Sequence, residues 1–214
     1  MTRPVLVLRP QPGADATAAR ARALGLEPIV APLFTIEHRD WTAPAEPPDA
    51  LLVTSANAAR AAHRLPLPAY AVGDATAARL HAEGLANVVT GPGGVQPLID
   101  RAVADGCRAL LHLAGEDRTP FDPRGLRIET RIVYAAVEAT PSPHFCDALA
   151  RDAIAVLHSA RAARRFRMLA GPNRRIVAIS PAVAAAAGPG WAEVAIAEQP
   201  IDAALLAAAA RLCH

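Results

Sequence analysis

Short apolar runs recur along the chain, and each gives way to a small or polar residue and then to a longer segment with helical spacing. Val5–Leu8 precedes Arg9-Pro10 and the Ala-rich segment Ala14–Leu24, and Gly25 suits the end of that helix. Leu26–Val30 reads as the next strand. Leu51–Val53 leads into Thr54-Ser55-Ala56-Asn57 and a helix to Arg64, and Tyr70–Val72 into Gly73-Asp74-Ala75-Thr76 and a helix ending near Gly84. Asn87–Thr90 is a short strand, Leu98–Ala104 a helix, and Ala109–Leu113 the strand before Ala114-Gly115-Glu116-Asp117. The pattern then repeats. Ile154–Leu157 stands before His158-Ser159-Ala160-Arg161 and a helix to Leu169, and Ile176–Ile179 before Ser180-Pro181 and an Ala-rich helix ending near Gly188. Glu193–Ala197 is the last strand. Pro200 fits a first helical position, Asp202 falls in the first turn where a carboxylate suits the helix dipole, and Leu205–Leu212 completes the last helix. Alternation of this kind predicts an α/β fold with parallel sheets flanked by helices.

Some units resemble one another. Thr54-Ser-Ala-Asn-Ala-Ala-Arg60 parallels His158-Ser-Ala-Arg-Ala-Ala-Arg164, and Ala71–Ala78 parallels Ala178–Ala185 more loosely. The same order of units in both halves predicts two similar α/β domains. Two segments break the pattern, Phe34–Trp41 before the Pro-rich stretch Ala43–Pro48, and Arg131–Thr140 before Pro141-Ser-Pro143. Both read as linkers. If they pair with each other, the chain leaves one domain and later returns to it.

Composition narrows the function classes. Of the 214 residues, 52% are apolar, but much of that is alanine and only 4% are aromatic, so thin layers on sheets are expected. A formal net charge of +2, without a basic block, argues against a nucleic-acid partner. Three well-separated cysteines without a CxxC suit a reducing compartment. The N-terminal apolar run is too short for a signal core and no stretch reaches a membrane span of about 20 apolar residues, so a cytoplasmic protein is expected.

The feature with chemical meaning is a Ser or Thr where a strand turns into a helix. That edge of a parallel sheet is the usual ligand edge, and helix N-termini there offer N–H groups to carboxylate or phosphate. The same Thr54, Ser55, Ser159 and Ser180 also serve as plain N-caps. Glu116 and Asp117, in the turn Gly115–Thr119, are acid or base candidates but read more simply as solvated. His158-Ser159 lacks the G-x-S-x-G of a hydrolase nucleophile. His38, His63, His81, His112, His144, His158 and His214 lack metal-ligand spacing, so no metal is expected. Gly91–Gly94 is a turn rather than a phosphate loop, and the chain has no GxGxxG for a nucleotide cofactor. Tyr70 reads as core. Tyr134, among Ile and Val in the second linker, is either an interface aromatic or a hydroxyl facing a cleft.

Taken in order, Val5–Pro10, Pro32–Ile36, Leu52–Ala58, Ala71–Ala77, His112–Glu116, Val133-Tyr134, Leu157–Arg161, Ala178–Ser180 and Val194–Glu198 resemble the uroporphyrinogen-III synthase family. No single piece is diagnostic; the ordered set spans nearly the whole chain. The resemblance implies two α/β domains, 1–33 plus 140–214 and 42–130, joined by an antiparallel pair of strands at 34–41 and 131–139. It also implies a cofactor-free cyclisation of hydroxymethylbilane in the cleft between domains, with loss of water and inversion of ring D.

For a polycarboxylate substrate, the implied contacts are Arg9, Thr54, Ser55, Ala56, Asn57, Thr76, Gly115, Ser159, Arg161 and Ser180, with Tyr134 as the weak acid near the leaving hydroxyl. Pro181-Ala182-Val183 depart from relatives that carry a hydroxyl side chain two residues after the serine, which removes a contact there. The resemblance implies a monomer and admits a transient contact with hydroxymethylbilane synthase, which supplies the bilane. Two other readings share the sequence pattern: a tetrapyrrole-binding module without catalysis, and a two-domain sugar or amino-acid binding protein, a class usually longer and secreted.

Overall fold

The computed structural model describes residues 3–118 and 120–213. Two units divide the chain, one of Met1–Thr35 with Val137–His214 and the other of Ile36–Ala136.

The first unit is built on a five-stranded sheet. Its strands are β1 (Val5–Val7) and β2 (Pro28–Val30), followed much later in the chain by three more. Between β1 and β2 lies helix α1 (Gly13–Ala23). Ala14, Thr17, Ala18 and Ala21 are its buried face, at the spacing an α-helix needs to present one side to a sheet. The helix stops at a Schellman motif: Gly25, at φ +74°, donates to the Arg22 carbonyl, and the Leu26 N–H reaches back to the Ala21 carbonyl at 3.0 Å. Only glycine takes that backbone conformation cheaply, so Gly25 fixes where β2 can begin.

The second unit's sheet contains β4 (Ala50–Val53), β5 (Ala69–Ala71), β6 (Val88–Thr90) and β7 (Ala109–Gly115), linked by α2 (Ala56–Ala62), α3 (Asp74–Ala82) and α4 (Gln96–Ala104). Gly84, at φ +92°, ends α3 by the same motif. Two further strands complete the sheet, β3 (Phe34–His38) and the long β8 (Arg127–Glu138). They are neighbours and run antiparallel: Arg39 N–H donates to the Val133 carbonyl and Ala139 N–H to the Leu33 carbonyl, both at 2.9 Å. β8 begins earlier than the pattern at Arg131 suggests, because Arg127–Ile132 pair in parallel with Ala109–Ala114 of β7.

The chain then returns to the first unit through α5 (Pro143–Ala150), β9 (Ile154–Leu157), α6 (Ala160–Ala170), β10 (Arg175–Ala178), α7 (Pro181–Ala187), β11 (Glu193–Ile196) and α8 (Asp202–Cys213). The sequence reading missed α5. Its start is Ser142, whose hydroxyl accepts the Phe145 N–H at 3.4 Å, with Pro143 at the first helical position. Pro200 is not helical. The Ile201 carbonyl accepts the first helical hydrogen bond from Leu205, so α8 begins at Asp202.

Strand order is β2-β1-β9-β10-β11 in the first sheet, all parallel, and β3-β8-β7-β4-β5-β6 in the second. The α/β architecture with parallel sheets under helices is therefore that expected from the alternation. Central strands β1, β9, β4 and β7 are buried on both faces, which is why they read as unbroken apolar runs. Among the described residues no helix is long and apolar enough to cross a membrane.

Candidate functional site at the sheet edges

In both sheets the order of strands reverses once. In the first unit it reverses between β1 and β9, in the second between β4 and β7. At such a point the connections leave for opposite faces, so the carboxyl ends of the two strands flank an uncovered crevice. The sequence candidates distribute around these two points. Arg9, Ser159 and Arg161 follow β1 and β9; Thr54, Ser55, Ala56 and Asn57 follow β4; Gly115 closes β7 and Tyr134 faces it from β8. Ser180 and Thr76 stand one strand further out, after β10 and β5.

In the second unit, Ser55 caps α2 by accepting the Asn57 N–H at 3.2 Å. That bond uses a lone pair and leaves the hydroxyl proton for an acceptor outside. Ser55, Ala56 and Asn57 are half-buried. Thr54 does not cap; its Oγ1 lies 3.0 Å from Nε2 of His112, which stands beside it on β7. His112 is 1% exposed and packs edge-on to Phe121. Burial, with Arg118 adding to it, pushes its imidazole down to about 4, so the ring is neutral at neutral pH. Thr76 is buried on α3, with its N–H held by the Gly73 carbonyl.

Gly115 and Tyr134 form one feature. The β7–β8 register slips between Ala114 and Gly115, so that Val133 turns into the core and Gly115 pairs with Tyr134. A Cβ on Gly115 would stand 2.5 Å from the Tyr134 Cζ and 2.7 Å from its hydroxyl oxygen. The phenol thus lies flat over a glycine, half-buried against the apolar core of this unit. Glu116 and Asp117 are exposed; Glu116 pairs with Arg39 at 3.1 Å, and Thr119 of the same turn lies outside the described residues.

In the first unit, Ser159 and Ser180 cap α6 and α7, accepting from Ala162 and Val183. Pro181 has no N–H and the Val183 and Ala184 N–H groups bond to Ser180, so among the described residues the Ala182 N–H is the donor left without a partner at the α7 start. The Arg161 guanidinium lies 4.7 Å from the Phe34 ring centroid. Arg9 is held in a cluster with Thr17, Arg20, His158 and Asp202. His158 Nε2 is 2.7 Å from Asp202 Oδ1, the Thr17 hydroxyl donates to the same oxygen at 2.9 Å, and Arg20 pairs with Oδ2 at 2.7 Å. Burial opposes ionisation of Asp202, but the bonds from His158, Arg20 and Thr17 outweigh it and hold the carboxyl well below the usual carboxylate range. Burial pushes His158 below its ordinary value, against the pull of Asp202.

Sequence reasoning missed His112 and His158 as members of these sites and read Asp202 only as a helix-dipole carboxylate. The usable signal was a histidine interrupting or closing an apolar strand run, Leu111-His112-Leu113 and Val156-Leu157-His158. Among the described residues no group of three or more His, Cys, Asp and Glu is arranged to hold a metal ion. A cavity of about 200 Å³ lined by His63, Pro66, Glu83 and Asn87 lies at the opposite edge of the second sheet and gathers none of the candidates.

The family model described as uroporphyrinogen-III synthase HemD matches residues 15–207. Among solved structures, the chain is similar to the uroporphyrinogen-III synthetase of Helicobacter pylori 26695, with TM-score 0.67 and 18% identity over 99% of this chain and 100% of that one. A mutant uroporphyrinogen III synthase from the extremely thermophilic bacterium Thermus thermophilus aligns with TM-score 0.47 and 18% identity over 97% of each chain. The first of these supports the fold; the second superposes too loosely to add to it. No curated protein matches the chain. With the family model covering all but the ends, the chain belongs to the uroporphyrinogen-III synthase family.

Proposed function

We propose that this chain closes hydroxymethylbilane to uroporphyrinogen III, with loss of one water and inversion of ring D. The observation that carries the reading is the convergence of donors on the point where strand order reverses, hydroxyl and N–H groups in both units and arginines in the first. A linear polycarboxylate engages such donors without a basic surface, since each capping serine keeps a hydroxyl proton and each helix start keeps N–H groups. Every cationic side chain outside histidine is arginine, whose planar fork suits carboxylates. In this reading Arg9 and Arg161 serve carboxylates of the bilane at one edge, and Thr54–Asn57 serve them at the other.

The pyrrole electrons do most of the work. Protonation of the hydroxymethyl oxygen lets it leave as water, and the C–O bonding pair goes with it. The resulting azafulvene carbon is attacked by ring D at its substituted carbon; the spiro intermediate breaks the old bridge bond and recloses in the flipped sense, losing a ring proton. Without a template the open chain closes directly and ring D keeps its orientation, so the protein's contribution is orientation of the two ends. Tyr134 supplies the proton at the leaving hydroxyl. Its hydroxyl makes no hydrogen bond among the described residues, which leaves it available to a ligand.

The test is product identity. Freshly made bilane is supplied, the products are oxidised, and type I and type III isomers are separated by chromatography. Type III in excess over the enzyme-free control supports the reading; type I alone, with bilane bound, leaves a binding module without catalysis.

A further inference from the structure

We infer that Asp202 is a positioning residue, acting through Thr17 to fix the Arg9 guanidinium as the carboxylate-binding cation at the edge of the first sheet. The inference rests on the proposed synthase reading and deepens it.

Arg9 is an unusual cation for an unfilled partnership. Its side chain keeps 35% of its exposure, so much of its hydration is already lost. In return it has one long bond from Nη1 to the Thr17 hydroxyl, at 3.4 Å, and an ion-pair distance of 3.9 Å to Asp202. Its Nε and Nη2 make no hydrogen bond among the described residues. The guanidinium lies over Gly13, where a Cβ would approach Nε to 2.6 Å, so the fork is set flat in a slot rather than waving in solvent.

Asp202 does not neutralise it. The carboxylate is already engaged by three nearer donors, the Thr17 hydroxyl, Arg20 and the His158 ring. With His158 neutral, two arginines face one carboxylate and the cluster retains a positive charge, which falls to Arg9 as the partner held least closely. Thr17 is fully buried and spends its proton on Asp202, so its oxygen is turned to accept from Arg9. Asp202 thus orients the acceptor that orients the arginine.

Two physical readings of Asp202 predict opposite signs. If it acted only as a nearby negative charge, Asp202→Ala, which removes both the charge and the acceptor for Thr17, would strengthen binding of a polyanion. If it positions Arg9, the same change weakens binding although the site becomes more positive. Steady-state kinetics of type III formation from bilane separate them, with thermal melts to confirm folding. Asp202→Ala is expected to raise KM roughly tenfold, the order expected for losing one charge-assisted hydrogen bond, and to leave kcat within about twofold. In an Arg9→Ala background, which itself raises KM, the second change is expected to add nothing.

A folded Asp202→Ala with KM unchanged or lowered overturns the inference, and so does an equal effect of Asp202→Ala with and without Arg9. If Asp202→Ala does not fold, Thr17→Val carries the test: it keeps every charge and removes the acceptor, so an unchanged KM overturns the inference and a raised one supports it. A parent chain that forms no type III isomer would instead remove the underlying reading.

Discussion

Gly115→Ala is a minimal perturbation with a calculable consequence. The added Cβ would stand 2.5 Å from the Tyr134 Cζ, where ordinary contact begins near 3.4 Å, so the ring must retreat by about 0.9 Å. Gly115 is absent from the positive-φ positions, so alanine fits its backbone and the whole effect falls on Tyr134. Holding the phenol off its rotamer costs about 0.5–1.5 kcal/mol. Replacing a strand glycine by alanine returns roughly 0.5–1 kcal/mol. Stability should therefore change little while the hydroxyl is displaced by nearly an ångström. A shift of that size in a reacting group can cost on the order of 100-fold in rate, about 2.7 kcal/mol of barrier.

The assay is the rate of type III formation at saturating bilane, with thermal melts of the same preparations. Tyr134→Phe should fall by a comparable or larger factor, since general acids contribute roughly 10²–10⁴. The double variant should be no slower than Tyr134→Phe alone, because on the proposed reading both changes remove the same proton donor. Gly115→Ala with a normal melt and a rate within about twofold of the parent would refute the reasoning. So would a double variant in which the two losses multiply.

Two predictions concern stability. His112 is neutral when folded and takes a proton near 4, whereas unfolded it does so near 6.5. Between those values the unfolded chain binds more protons, so stability falls as pH falls through that window, by on the order of 3 kcal/mol in full. His158 contributes in the same direction. His112→Gln should flatten the dependence seen in urea titrations at neutral and acid pH, leaving the part due to His158; identical slopes in parent and variant would contradict a neutral buried ring. Phe166 is fully buried, stacked on Trp191 at 5.6 Å and edge-on to Phe145 at 6.1 Å. Phe166→Ala should lower unfolding free energy by roughly 3–5 kcal/mol in a denaturant titration, and a loss under about 1 kcal/mol would mean this aromatic cluster does not hold α6 to its neighbours.

The architecture was legible because its signals are local. Central strands such as Val5–Val7 and Ala109–Gly115 are buried on both faces, so they appear in the sequence as apolar runs, and Gly25 and Gly84 mark helix ends that need a left-handed residue. The α5 helix escaped because Pro141 and Pro143 dominate the local composition, although Ser142-Pro143 is itself a helix start. Serines at strand-to-helix corners were visible for the same local reason, since a cap bonds a residue two or three positions away. The bulge that seats Tyr134 on Gly115 was not visible. It depends on how β7 and β8 slip against each other, and a register shift leaves no mark in either strand alone.

The cluster around Arg9 lay further out of reach for the same physical reason. Thr17 and Asp202 are 185 positions apart, and they meet only because β9 inserts beside β1 and α8 packs near α1. That same insertion creates the reversal in strand order, so the event that hides the partners from the sequence also sets the sheet edge beside which they meet. Each of the two histidines stands at a reversal point and bonds a polar side chain on another element, His112 to Thr54 and His158 to Asp202. A buried neutral imidazole avoids the desolvation cost of a cation while still fixing its partner. Positive charge is then left to arginine, whose fork remains charged at any working pH and matches a carboxylate in geometry. On the proposed reading, division of labour of this kind, neutral rings to orient and arginines to attract, would let a chain of net charge +2 present a carboxylate site without a basic surface.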